Sequence, residues 1–101
     1  MNVRKILYKD KDFRIGCDYL NDLNKISLHL DIVEGSWSYS VYKKLDKVFK
    51  TLVEEFKGEG YNEIYAVPLK VDLKAQKLIK LFGFEIIRII DNLVVMIYKI
   101  K

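Results

Sequence analysis

Residues 61–84 read YNEIYAVPLKVDLKAQKLIKLFGF, and the fold follows from how this stretch divides. Ile64 to Val67 is a short β-branched and aromatic run bounded by Pro68, which suits a buried strand. Asp72 is a good N-cap, and Ala75, Leu78, Ile79 and Phe82 then share one face of a helix. Gly83 stands where a helix closes in the left-handed conformation, and Phe84 starts another strand. Strand, loop, short amphipathic helix, Gly-Phe and strand make a crossover unit that packs on a sheet.

Upstream of this unit, Val3 to Tyr8 has strand composition, and Lys9-Asp10-Lys11-Asp12 is a polar break of hairpin length. Phe13, Ile15, Cys17 and Tyr19 alternate with Arg14, Gly16 and Asp18, and a turn follows at Asn21-Asp22. Ile26, Leu28, Leu30 and Ile32 alternate with Ser27, His29 and Asp31 in the same period of two. Three strands on short polar turns predict an antiparallel meander. Ser38 or Ser40 then caps a helix in which Val41, Leu45, Val48, Phe49, Leu52, Val53 and Phe56 keep a 3.6-residue period, until Gly58 and Gly60 end it. Downstream, Phe84–Ile90 and Leu93–Ile100 form a hairpin with Asp91-Asn92 at its tip.

The order is β-β-β-α-β-α-β-β over a single domain, residues 1–101. The fold class is α/β (α+β), a mixed, mostly antiparallel sheet with helices on its faces. The strand from Ile64 is expected to run parallel to the strand ending at Val33, through a right-handed crossover.

Bulk composition bounds the function more than it assigns one. Lys and Arg number 18 against 14 Asp and Glu, and this net charge of +4 is interspersed, which does not call for a nucleic-acid partner. The single cysteine, Cys17, excludes an internal disulfide, and no apolar run approaches the roughly 18 residues of a membrane span. A cytoplasmic protein without a membrane partner is the expectation. No Cys, His and carboxylate cluster has metal-ligand spacing.

The run D-L-K-A-Q-K-L-I-K-L-F-G-F, with the order of elements over about residues 25–100, resembles the C-terminal half of the GNAT superfamily of N-acetyltransferases. That family has a short helix of the form N-x-x-A-x-x-x-Y-x-x-x-G-F. Asp72 stands at its Asn, Ala75 and Gly83-Phe84 match, and Ile79 replaces the tyrosine that commonly serves as general acid. In the family a basic or Gln residue followed by x-x-G-x-G/A cradles the cofactor pyrophosphate before the long helix. Here the segment is E-G-S-W-S-Y-S-V-Y, with one glycine, no basic residue and the bulky Trp37 and Tyr39. The resemblance therefore implies the scaffold without its phosphate loop. It is similar in this to GNAT-like internal virion and accessory proteins of tailed bacteriophages, which implies the host cytoplasm or a virion as location. Were acetyl-CoA retained as cofactor, the resemblance would place it on Ile32, Val33, Gly35, Ser36, Ser38, Ser40, Asp72 and Ala75.

The remaining candidates each have a plain structural reading beside a functional one. His29 has the pKa range of a general base, but no partner is set beside it by sequence, and Asp31 and Glu34 read equally as solvated strand residues. Cys17 reads as a small core residue. Lys70, Lys74, Lys77 and Lys80 form a basic strip on the second helix. The terminal hairpin is apolar on both alternating sets, so Val94, Met96 and Tyr98 are candidates for a protein interface or a homo-oligomer contact. The functional expectation is a domain that has lost acetyl-CoA chemistry and acts by protein interaction. The alternatives are an acyl-CoA-dependent N-acetyltransferase with an atypical phosphate loop, and an inhibitor or nucleic-acid-associated adaptor.

Overall fold

The computed structural model describes residues 2–20, 25–33 and 35–100. The turn expected at Asn21-Asp22 and the role weighed for Glu34 lie outside the described residues. Eight elements follow in the order read from the sequence: β1 (Asn2–Lys9), β2 (Phe13–Leu20), β3 (Lys25–Ile32), α1 (Tyr39–Gly58), β4 (Glu63–Ala66), α2 (Leu73–Leu81), β5 (Glu85–Ile90) and β6 (Leu93–Lys99). They build one six-stranded sheet in the order β1-β2-β3-β4-β6-β5. Only β3 and β4 run parallel, with α1 between them in the chain; every other pair is antiparallel.

The period of two in β2 and β3 decides which face is buried. Phe13, Ile15, Cys17 and Tyr19 stand opposite Ile32, Leu30, Leu28 and Ile26, so one face of this pair is wholly apolar. In register with it come Ile64 and Ala66 of β4, then Met96 and Tyr98 of β6. The apolar stripe of α1, Val41, Leu45, Phe49, Leu52, Val53 and Phe56, and Leu78 of α2 join this face in a single buried cluster. Both helices therefore lie on the same side of the sheet. This corrects the expectation of helices on its two faces: strand alternation says that a face is covered, not by which helix. Among the described residues no helix covers the other face.

Each buried Phe, Ile or Leu contributes roughly 1.5–3 kcal/mol by leaving water, whereas an exposed ion pair contributes about 0–1 kcal/mol. The apolar stripe thus holds α1 down, and charge adjusts where it sits. Its start is tied to the β1–β2 turn. Asp10 Oδ1 accepts the backbone N–H groups of Asp12 (2.8 Å) and Phe13 (3.1 Å), and Tyr8 donates its hydroxyl to Oδ2 at 2.9 Å. The Lys44 ammonium of α1 reaches the carboxylates of Asp10 (2.7 Å) and Asp12 (2.8 Å).

Both helices close by the same device. At the end of α1, Gly60 donates to Lys57 O and Tyr61 to Phe56 O, with Gly60 at φ 95° and the Tyr61 ring edge-on to Phe56. At the end of α2, Gly83 (φ 99°) donates to Lys80 O and Phe84 to Ile79 O. Gly83 also lies beneath Tyr98: a Cβ there would meet its ring at 3.2 Å, whereas one at Gly60 would meet nothing within 4 Å.

Two outcomes are expected. Gly83→Ala should destabilise by more than Gly60→Ala in urea unfolding. Both carry the left-handed cost of about 1–2 kcal/mol, and only the first adds contact with Tyr98. The second concerns acid. The hydrogen bond from Lys44, with those from the turn backbone, holds the Asp10 carboxyl well below its usual value of 3.8. A depressed carboxylate stabilises the folded state above its unfolded pKa and loses that contribution as pH falls below it. Urea midpoints followed from about pH 7 to about pH 3 should therefore drop less steeply for Asp10→Asn than for the native chain below about pH 4.

Candidate functional site

Where β3 and β4 separate, the sheet opens. They pair only from Ile26 with Ile64 to Leu28 with Ala66, although β3 continues to Ile32. Pro68, which has no N–H to continue a ladder, follows Ala66, and the chain then leans on β6. Val94 donates to Pro68 O (2.9 Å), Leu69 bridges to Leu93, and Lys70 donates to Asn92 O (2.7 Å). The distal half of β3 stays with β2, where Arg14 faces Asp31 and Phe13 faces Ile32.

The gap so formed is plugged with side chains. Ile79 and Phe82 from α2, Leu45 and Phe49 from α1, and Phe84 close over Leu28, Leu30 and Ala66, leaving a cavity of about 60 Å³. Pockets that hold small ligands run to roughly 300–1,000 Å³. An apolar void of this size has no polar partners for water either. The plug is locked by a chain of rings: Tyr42 stacks on Phe82 at 5.7 Å, and Phe49 contacts Phe82 (5.3 Å), Phe84 (5.7 Å) and Tyr98 (5.3 Å).

The start of α1 lies at the mouth of this gap. Ser38 is the N-cap; its Oγ accepts the N–H of Val41 at 3.2 Å and stands 3.0 Å from Ser40 Oγ. Gly35 has φ 80°, and Ser36 donates to Val33 O. Trp37 and Tyr39 are exposed and pack on Tyr42, one edge-on and one stacked. With Leu81 they line a shallow groove, and the Lys43 ammonium stands 5.2 Å over the Tyr39 ring. Free N–H groups at a helix start can take an anion, but here one is already capped and aromatic bulk surrounds the rest.

The residues suggested for acyl-CoA fall into two places. Ile32 and Val33 end β3, and Gly35, Ser36, Ser38 and Ser40 lead into α1. Asp72 caps α2, accepting the N–H of Ala75 at 3.1 Å. It is the far end of α2, at Leu81 and Phe82, that meets α1, so Asp72 lies about 13 Å and Ala75 about 9 Å away along the helix.

The interface expectation is corrected in the same way. Val94 and Met96 are 2% and 0% exposed, and Tyr98 is half-buried against Phe49 and Phe84, so all three belong to the face beneath the helices. Within the hairpin the exposed apolar side chains are Ile86, Ile87, Ile89 and Ile90 of β5, at 40–54%, and Leu93 of β6; Val71, Leu73 and Leu81 are exposed around α2.

On the uncovered face, His29 Nε2 lies 2.6 Å from Asp18 Oδ2, and Arg14 donates to Asp31 at 2.6 Å. Sequence reading left His29 without a partner because this pairing depends on the β2–β3 register. Among the described residues no hydroxyl or thiol is bonded to His29. Cys17 lies on the opposite face, fully buried, and burial pushes its thiol up. Burial likewise pushes the neighbouring Tyr19 phenol up to about 12. Lys70, Lys74, Lys77 and Lys80 all stand in solvent. Among the described residues no group of His, Cys, Asp and Glu could hold a metal, and no helix is long and apolar enough to cross a membrane.

No family model matches the chain, and no curated protein matches it. Among solved structures it is similar to a domain from Methanocaldococcus jannaschii DSM 2661, at 14% identity and a TM-score of 0.55. That match covers 90% of this chain and 69% of the other, and at such identity the likeness is one of fold.

Proposed function

We propose that this domain acts by binding protein, on a scaffold similar to that of the GNAT acetyltransferases but without acyl-CoA chemistry. The observation that carries this reading is the plug of Phe82, Ile79 and Phe49 in the parting of β3 and β4. A pantetheine arm could enter such a sheet only where its strands separate, and about 60 Å³ does not admit one. Two further observations support it. The loop into α1 offers one glycine and no cation to a pyrophosphate, and Ile79 brings no proton donor to the parting. The GNAT-like accessory and virion proteins of phages are a functional analogy for such a domain.

A second reading, an acyl-CoA-dependent N-acetyltransferase, is favoured by the parting itself. It requires Phe82 to swing out and the N–H groups of residues 35–40 to receive the pyrophosphate past Trp37. Calorimetric titration of the native chain with acetyl-CoA and CoA separates the two. The expected result is no heat and no shift in thermal midpoint. Binding at micromolar strength, about 8 kcal/mol, that Trp37→Glu abolishes would overturn the proposal in favour of the enzyme.

A further inference from the structure

The two edges of the sheet are built differently. At one, β1 presents Lys5 and Lys9, exposed lysines of the kind that keep an edge from pairing with another chain. At the other, β5 reads EIIRII and leaves four isoleucines exposed beside an unpaired backbone edge. Neither Glu85 nor Arg88 has an ion-pair partner among the described residues. Opposite charges left open on an apolar edge need an explanation.

We infer that β5 is a homodimer interface, pairing antiparallel with β5 of a second copy about a two-fold axis. This deepens the protein-binding reading and rests on it. The register follows from which way each side chain points. Ile86 and Ile89 face Met96 and Val94, on the helix side; Glu85, Arg88 and Ile90 face Ile97, Val95 and Leu93, on the uncovered side. Ile87 is the extra residue of a bulge and shares the position opposite Val95 with Arg88.

In a two-fold antiparallel pair, residues directly opposite must point to the same side. With the axis between Ile87 and Arg88, every position meets that condition. Glu85 faces Ile90 of the second copy, Ile86 faces Ile89, and Ile87 faces Arg88. Glu85 then lies diagonal to Arg88 of the second copy, within reach of long side chains, and the symmetry repeats the pair. Moving the axis by one residue, so that Glu85 faces Arg88 directly, would set Ile86 against Ile87 from opposite sides of the sheet. The strand is thus self-complementary in charge, in apolar contact and in pleat at one register.

The test is sedimentation velocity on the full chain over a range of concentrations, with circular dichroism to show that each variant is folded. The native chain is expected to dimerise. Glu85→Arg or Arg88→Glu alone should weaken the dimer roughly tenfold, since each sets like charges together twice. The double reversal E85R/R88E should restore it, which a merely misfolded variant cannot do. A mixture of I86C and I89C chains should cross-link to one another under mild oxidation, because Cys17 is buried. A native chain that stays monomeric, or a dimer indifferent to both reversals, overturns the β5 interface. Either of those results with no heat from acetyl-CoA leaves the protein-binding reading in place. Acetyl-CoA binding overturns that reading whatever the mass.

Discussion

The contact on which the rest depends is that of Phe82 with Phe49 and Tyr42. It fastens the short helix α2 to the long helix α1 across the place where the sheet comes apart. A nine-residue helix with one buried side chain, Leu78, has little of its own to hold it. What it has is the ring of Phe82 at its end, set by the Gly83 closure, which turns the chain sharply enough for Phe84 to enter the core beside it. Without that ring contact β3 and β4 would face each other across open apolar surface. The parting of the sheet and the plug that fills it are one structural solution. Backbone that cannot pair after Pro68 is diverted to β6, and the vacated space is taken up by apolar side chains around a small cavity.

Much of this was legible in the sequence because the signals were local. Strict alternation in β2 and β3 marks a face, and a 3.6-residue stripe over α1 marks a buried helix. Ser38, Asp72, Gly60 and Gly83 mark where helices start and stop. The parallel pairing of β3 with β4 followed from the helix between them. The features that escaped are those set by register. His29 meets Asp18 only because β2 and β3 pair with Gly16 opposite His29, which places Asp18 on the diagonal. The hairpin misled for a related reason. In EIIRII the apolar residues come as doublets, and a bulge between Ile86 and Arg88 breaks the period of two. No alternation could therefore say which set was inside. The choice of Val94, Met96 and Tyr98 as surface was a choice between two strands with equal apolar content. The structure settles it by burying β6 between β4 and β5.

With both helices on one side, the fold must make the bare side of the sheet compatible with water. Over β2 and β3 it does so with Arg14–Asp31 and Asp18–His29, polar pairs across adjacent strands that satisfy one another. At β4, Lys25 donates to the Tyr65 hydroxyl at 2.5 Å and lies 3.9 Å from Glu63. Further along the sheet this treatment stops. Leu93 and Val95 of β6 and Ile90 of β5 continue the same face beside Glu85 and Arg88, with Ile97 buried among them and no ion pair there among the described residues.

Paired charge across β2 and β3 gives way at β5 to exposed isoleucines on either side of Arg88, at the edge of the sheet. Charged residues on the first strands cost little in water and offer little to a partner, because their hydrogen bonds are already made. Apolar residues at the last strand keep their surface in water on both sides of the sheet, next to backbone groups that have no strand to pair with. Covering that end would bury isoleucine surface at roughly 25 cal/mol per Å² and satisfy the backbone edge in the same step.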